Sequence, residues 1–111
     1  MFIKFNIKNK MAEKISKECI NLVKLGDLFS LQEIYRNNID CHNSYVFQRV
    51  FNSACSNNQI HILRWLYDLY IEFDTITQLA LKPTIIYGKY IIKNEKILDG
   101  YKSLFSNILN K

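Results

Sequence analysis

Ala54-Cys55-Ser56-Asn57-Asn58-Gln59-Ile60-His61-Ile62-Leu63-Arg64-Trp65-Leu66 is the stretch that decides how this chain folds. Apolar side chains lead into it at Val46, Phe47, Val50, Phe51 and Ala54, the three- and four-residue spacing of one helix face. A second apolar run leaves it at Ile60, Ile62, Leu63, Trp65, Leu66, Leu69 and Tyr70. Between the runs, Ser56-Asn57-Asn58 breaks the helix, because asparagine tolerates the left-handed conformation that ends one. The stretch reads as the corner of a helix–turn–helix unit, with Ser44 as the expected N-cap of its first helix.

Upstream, the same pattern recurs. Ile15, Cys19, Ile20, Leu22 and Val23 form an amphipathic face from Glu13 onward, Gly26-Asp27 stops it, and Leu28, Leu31, Ile34 and Tyr35 follow on a second helix. Glycine supplies the left-handed stop and Asp27 caps what comes next. A shift of 31 residues places Ile15 on Val46, Cys19 on Val50, Val23 on Ala54, Phe29 on Ile60, Leu31 on Ile62 and Tyr35 on Leu66, with Gly26-Asp27 on Asn57-Asn58. Coincidence of both faces and breaks predicts a repeat of helix pairs.

Downstream, Ile76, Leu79 and Ala80 are expected to face inward on a helix capped by Asp74 or Thr75 and ended by Pro83. A short helix with Ile85, Ile86, Tyr90 and Ile91 follows, interrupted by Gly88, and a capping helix begins near Glu95 with Ile97, Leu98, Tyr101, Leu104, Phe105 and Ile108. This third unit is degenerate, as the end of a stack often is. At the N-terminus Ile3, Phe5 and Ile7 alternate with Lys4, Asn6 and Lys8, the period of a short strand, unless the segment is a loose extension. The expected organisation is an N-terminal extension over 1–10 and one all-α domain over 11–111, with units near 13–40, 44–72 and 74–111.

The segment 54–66 resembles the ankyrin repeat. It follows the family's A-A-x-x-G-H-x-x-x-V-x-x-L-L core, with Ala54 and Cys55 at the alanines, Leu63 at the valine and Trp65-Leu66 read as the paired leucines, one residue short of the ungapped register. Gly26-Asp27-Leu28 matches the family's G-D-L variant, with Ile34-Tyr35 at the paired leucines. The T-P-L-H tetrapeptide is absent. Glu18-Cys19-Ile20-Asn21 and Arg49-Val50-Phe51-Asn52 stand in its places, with Asn21 and Asn52 positioned to take part of the histidine's hydrogen-bonding role. The resemblance covers 15–70 well and 71–111 poorly. Its flavour is that of the divergent ankyrin repeats of giant DNA viruses, and the bias toward Ile, Asn, Lys, Tyr and Phe agrees with an AT-rich genome. What it implies is a scaffold that binds another protein, whose exposed positions would be Asp40, His42, Asn43, Gln48, Arg49, Asn52 and Ser53.

Composition bounds the alternatives. The chain has 111 residues, 49% hydrophobic, with three glycines and one proline, too few for a turn-rich β-sandwich and too apolar for disorder. The net charge of +5 divides into +3 over 1–10, −2 over 11–81 and +4 over 82–111. Basic ends on an acidic body make a poor nucleic-acid stripe, although a basic helical nucleic-acid binder stays open as an alternative, as does a decayed repeat fragment. Three unpaired-looking cysteines, no leader-like run and no membrane-length apolar stretch suggest a soluble intracellular protein, in host cytoplasm if viral.

Chemistry is sparsely provided. Cys41-His42 and Cys55 with His61 match no zinc motif, and no nucleophile–base pair, paired carboxylates or phosphate loop is evident. No enzymatic activity, metal or cofactor is expected. Trp65, Tyr67, Tyr70, Phe73, Tyr87 and Tyr90 raise the question of a base-stacking platform, with Trp65 and Tyr90 expected in the core and Tyr67 and Tyr87 exposed.

Overall fold

The third helix is the most deeply buried element. In a computed structural model, which describes residues 2–38, 43–92 and 94–109, it runs Ser44–Ser56 (α3) and buries Val46, Phe47, Val50, Phe51, Ser53, Ala54 and Cys55. Those positions wrap more than half the helix circumference, so α3 needs neighbours on several sides. It has them: α1 (Phe2–Leu25) and α5 (Thr75–Ile91) flank it, and α4 (Ile60–Ile71) packs across it. α2 (Leu28–Asn37) rests on α1, while α6 (Glu95–Leu109) rests on α4 and α5. The result is two layers of helices, α1-α3-α5 and α2-α4-α6, within 45 × 31 × 22 Å, with no strand among the described residues.

The short strand expected at the N-terminus is replaced by helix. α1 is helical from Phe2, so Glu13 and Glu18 lie within it, and Glu13 forms an exposed ion pair with Lys17 at 3.6 Å. A lone strand would leave its backbone groups without a ladder, whereas continuing α1 satisfies them locally. Ala12, Ser16, Cys19 and Val23 form one buried stripe at helical spacing.

The corners that end α1 and α3 close in the same way. Gly26 has φ +70°, its N–H bonds to the Val23 carbonyl, and the Asp27 N–H bonds to that of Leu22. Asn58 has φ +55°, its N–H bonds to the Cys55 carbonyl, and the Gln59 N–H bonds to that of Ala54. Each is a Schellman stop, which satisfies the last carbonyls of a helix. The corners superpose at a shift of 32 residues, Gly26 on Asn58 and Leu28 on Ile60, while buried positions pair at the expected 31: Cys19 with Val50, Val23 with Ala54, Leu31 with Ile62 and Tyr35 with Leu66. Leu28 and Ile60 are both half-buried, whereas Phe29 is 70% exposed.

Caps set most of the other starts. Asp27 accepts from the Ser30 backbone N–H (3.1 Å) and hydroxyl (2.7 Å), and Asp74 accepts from the Thr77 N–H (2.7 Å). Asn43, one residue before the expected Ser44, caps α3 by accepting from the Tyr45 N–H. Asn94 caps α6 by accepting from Lys96 and Ile97.

The third unit departs furthest from expectation. Pro83 does not end a helix; α5 passes through it without interruption. Proline lacks an N–H and crowds the preceding turn, but Pro83 is exposed, so water can reach the freed carbonyl while burial of Leu81, Thr84, Ile85 and Gly88 holds the helix to α3. That buried set fixes the rotational phase of α5 and turns Ile76, Leu79, Ala80 and Tyr90 outward, against expectation. Gly88 is the reason α5 can approach so closely. A Cβ there would stand 2.9 Å from Cys55 Sγ, from a Phe51 ring carbon and from the Tyr101 hydroxyl. Tyr101 is fully buried and donates its hydroxyl hydrogen bond to the Ile85 carbonyl, which ties α6 to α5. Around it Phe47, Phe51, Phe73 and Phe105 interlock with Tyr70, mostly in tilted or edge-to-face contacts.

Candidate protein-binding face

α3 is buried on most sides, so what it offers to solvent is a narrow stripe. Tyr45, Gln48, Arg49 and Asn52 follow the i, i+3, i+4, i+7 spacing and share one face. Gln48 is exposed and Arg49 half-buried. The guanidinium of Arg49 donates to the Tyr45 hydroxyl at 3.0 Å and lies 5.6 Å from the centroid of its ring. That pairing orients a planar cation and an aromatic ring on the same patch. Tyr45 also lines a groove of about 410 Å³ with Ala12, Glu13 and Asn43, between α1 and the start of α3. Tyr45 was not among the expected site residues; its four-residue spacing from Arg49 was the signal for it.

The expected set otherwise divides. Asp40 and His42 lie outside the described residues. Asn43 is occupied as the N-cap of α3. Asn52 is half-buried, and its Oδ1 is enclosed without a hydrogen-bond partner among the described residues. Ser53 is a correction: it is buried, and its hydroxyl receives the Asn57 side-chain amide at 3.2 Å. One helical step of about 100° carries it from the solvent stripe to the packed side.

The aromatic set does not assemble into a platform. Trp65 is half-buried against Tyr35, with centroids 4.8 Å apart and rings nearly perpendicular. Tyr67, expected at the surface, is half-buried edge-on to Phe105 at 5.1 Å, and Tyr70 and Phe73 belong to the core cluster. Tyr87 is exposed as expected, and Tyr90, expected inside, is exposed as well. A stacking surface needs several free ring faces in a row, and two tyrosines on one helix do not make one.

Cys19 and Cys55 are buried as small core groups. Burial pushes the Cys55 thiol up to about 12, which keeps it protonated and unreactive at neutral pH. His61 is exposed, and its Nε2 lies 3.1 Å from the Gly26 carbonyl, linking the start of α4 to the first corner. Among the described residues no three His, Cys, Asp or Glu side chains cluster to hold a metal ion, and no helix is long and apolar enough to cross a membrane.

Comparison of the chain with protein-family models, with curated proteins and with solved structures gives no match.

Proposed function

We propose that the chain is an ankyrin-like stack of helix pairs that binds another protein through the exposed stripe of α3. The observation that carries this reading is the pair of equivalent corners. Gly26 and Asn58 close α1 and α3 with the same two hydrogen bonds at the same offset, and both fall at the glycine position of the repeat pattern. The order α1-α3-α5 in one layer, with α2, α4 and α6 outside it, agrees with such a stack. A rigid stack presents side chains with little ordering cost on binding, and Arg49 held over Tyr45 is the kind of anchor that interfaces favour.

The test is affinity capture with the full chain as bait, in nuclease-treated lysate, beside a Gln48→Ala, Arg49→Glu double variant. A defined protein retained by the parent and lost by the variant, at unchanged far-UV circular dichroism, supports the reading. Equal capture by both refutes the assignment of the face. Heparin retention that collapses with modest salt, together with nuclease-sensitive capture, assigns the basic nucleic-acid alternative instead.

A further inference from the structure

The two edges of the α1-α3-α5 layer differ in chemistry. Among residues 10–25 of α1, the exposed positions are polar or charged except Met11 and, at the last turn, Leu25. Along α5, in contrast, Ile76, Leu79, Ala80, Pro83, Tyr87 and Tyr90 are all exposed, Ile76 by 81%, Leu79 by 64% and Tyr90 by 70%. At about 100° per residue these six fall within an arc of about 100°, a single stripe roughly 21 Å long on the side of α5 turned away from its buried face. Contiguous apolar stripes of this kind mark contact surfaces.

We propose that α5 is a homodimer interface, in which the α5 helices of two copies pack antiparallel about a two-fold axis at Pro83. The stripe is self-complementary in that direction. Ile76 and Tyr90 lie seven residues on either side of Pro83, and Leu79 and Tyr87 lie four on either side. A two-fold axis there sets each Ile76 against Tyr90 of the second copy and each Leu79 against Tyr87, with Ala80 and Pro83 short enough to let the helices approach. Charge agrees. The N-terminal end of α5 carries exposed Glu72 and Asp74, and Lys89 stands near the C-terminal end, so antiparallel pairing brings acid to base and opposes the helix dipoles. Parallel pairing sets like charges side by side, and head-to-tail stacking on residues 13–24 of α1 sets the apolar stripe against polar groups. One helix face buries less than the roughly 800 Å² per partner of a stable interface, so the dimer is weak, with a Kd of roughly 10–100 µM. The proposal is independent of the α3 binding face.

Sedimentation velocity of the full chain from roughly 1 to 500 µM should show a monomer passing to a dimer across that Kd range. Leu79→Glu should weaken the dimer at least about tenfold without loss of helix, since Leu79 is exposed. Geometry is read by cross-linking in a Cys41→Ser background. Pro83→Cys, beside the axis, should form a disulfide dimer under mild oxidation. Ile76→Cys should link poorly to itself and well when mixed with Tyr90→Cys. A monomer at every concentration, a dimer indifferent to Leu79→Glu, or Ile76→Cys linking to itself as readily as Pro83→Cys overturns the proposal. The first result leaves the stripe to another occupant, such as a foreign acidic helix.

Discussion

Gly88 and Gly100 are both glycines inside helices, and their surroundings give them opposite expected responses to a methyl group. At Gly88 the added carbon meets Cys55, Phe51 and the Tyr101 hydroxyl at 2.9 Å, closer than packed atoms tolerate, so Gly88→Ala should destabilise the fold by about 1–3 kcal/mol. At Gly100 the nearest atom is Ile60 Cδ1 at 3.5 Å, an ordinary contact, so Gly100→Ala should stabilise by about 0.5–1 kcal/mol through helix propensity. Thermal melts of the two variants check the signs. The sequence shows only that Gly88 interrupts a helical pattern; that it makes room for α5 on α3 depends on residues more than 10 positions away. Cys55, in contrast, was legible as a core group from its place on an apolar face. Its folded thiol is raised from 9.0 to about 12 by burial, so between those values the unfolded chain loses a proton that the folded chain keeps. Stability is therefore complete below pH 9.0 and should fall as pH rises toward about 12. Urea midpoints at pH 8 and pH 10.5 should separate less in Cys55→Ala than in the parent, although the variant starts lower because of its cavity.

At the scale of elements, caps were the most legible features and helix phase the least. Asp27 and Asp74 each follow or precede an apolar run in a way that marks a helix start, and each accepts the expected backbone N–H. The Ser30 hydroxyl and N–H hold the Asp27 carboxyl, and the Thr77 N–H and hydroxyl the Asp74 carboxyl, below the ordinary value of 3.8. Their contribution is present above that value and is lost as pH falls through the lower folded values, so helix content should decline on acidification below about pH 4. Asp74→Ala should lower stability at pH 7 and flatten that acid response, as followed by circular dichroism and urea titration. The phase of α5 was misread because a local pattern favours Ile76 and Leu79 as the inward pair. The choice is made by α3, whose surface accepts Leu81, Ile85 and Gly88 together. The candidate face was legible only in part: Gln48 and Arg49 were exposed positions implied by the ankyrin resemblance, while the inward turn of Ser53 depends on how completely α3 is surrounded. The alternating residues near the N-terminus mimic a strand because periodicity carries no information on whether a partner strand exists.

For the whole molecule, the question is whether the six described helices unfold as one unit. In a linear stack each pair contacts only its neighbours, and the ends tend to fray separately. Here α6 reaches both α4 and α5, and the buried rings of Phe51, Tyr101 and Phe105 join α3 to α6. That cross-tie should couple the C-terminal helices to the middle of the fold. Trp65 is the single tryptophan, and its edge contact with Tyr35 makes its fluorescence a reporter of α2 against α4, while far-UV circular dichroism follows all the helices. Guanidinium transitions by the two probes should coincide at low protein concentration, where the chain is monomeric. Phe51→Ala, which removes a fully buried ring from the tie, should lower stability by about 3–5 kcal/mol, or separate the two transitions if the end unit then comes loose first. Separation already in the parent chain would mean that α5 and α6 fold as an appendage and that the aromatic tie is too weak to bind the layers together. Coincidence in the parent with separation in Phe51→Ala would locate the cooperativity of the fold in those rings rather than in the repeated corners.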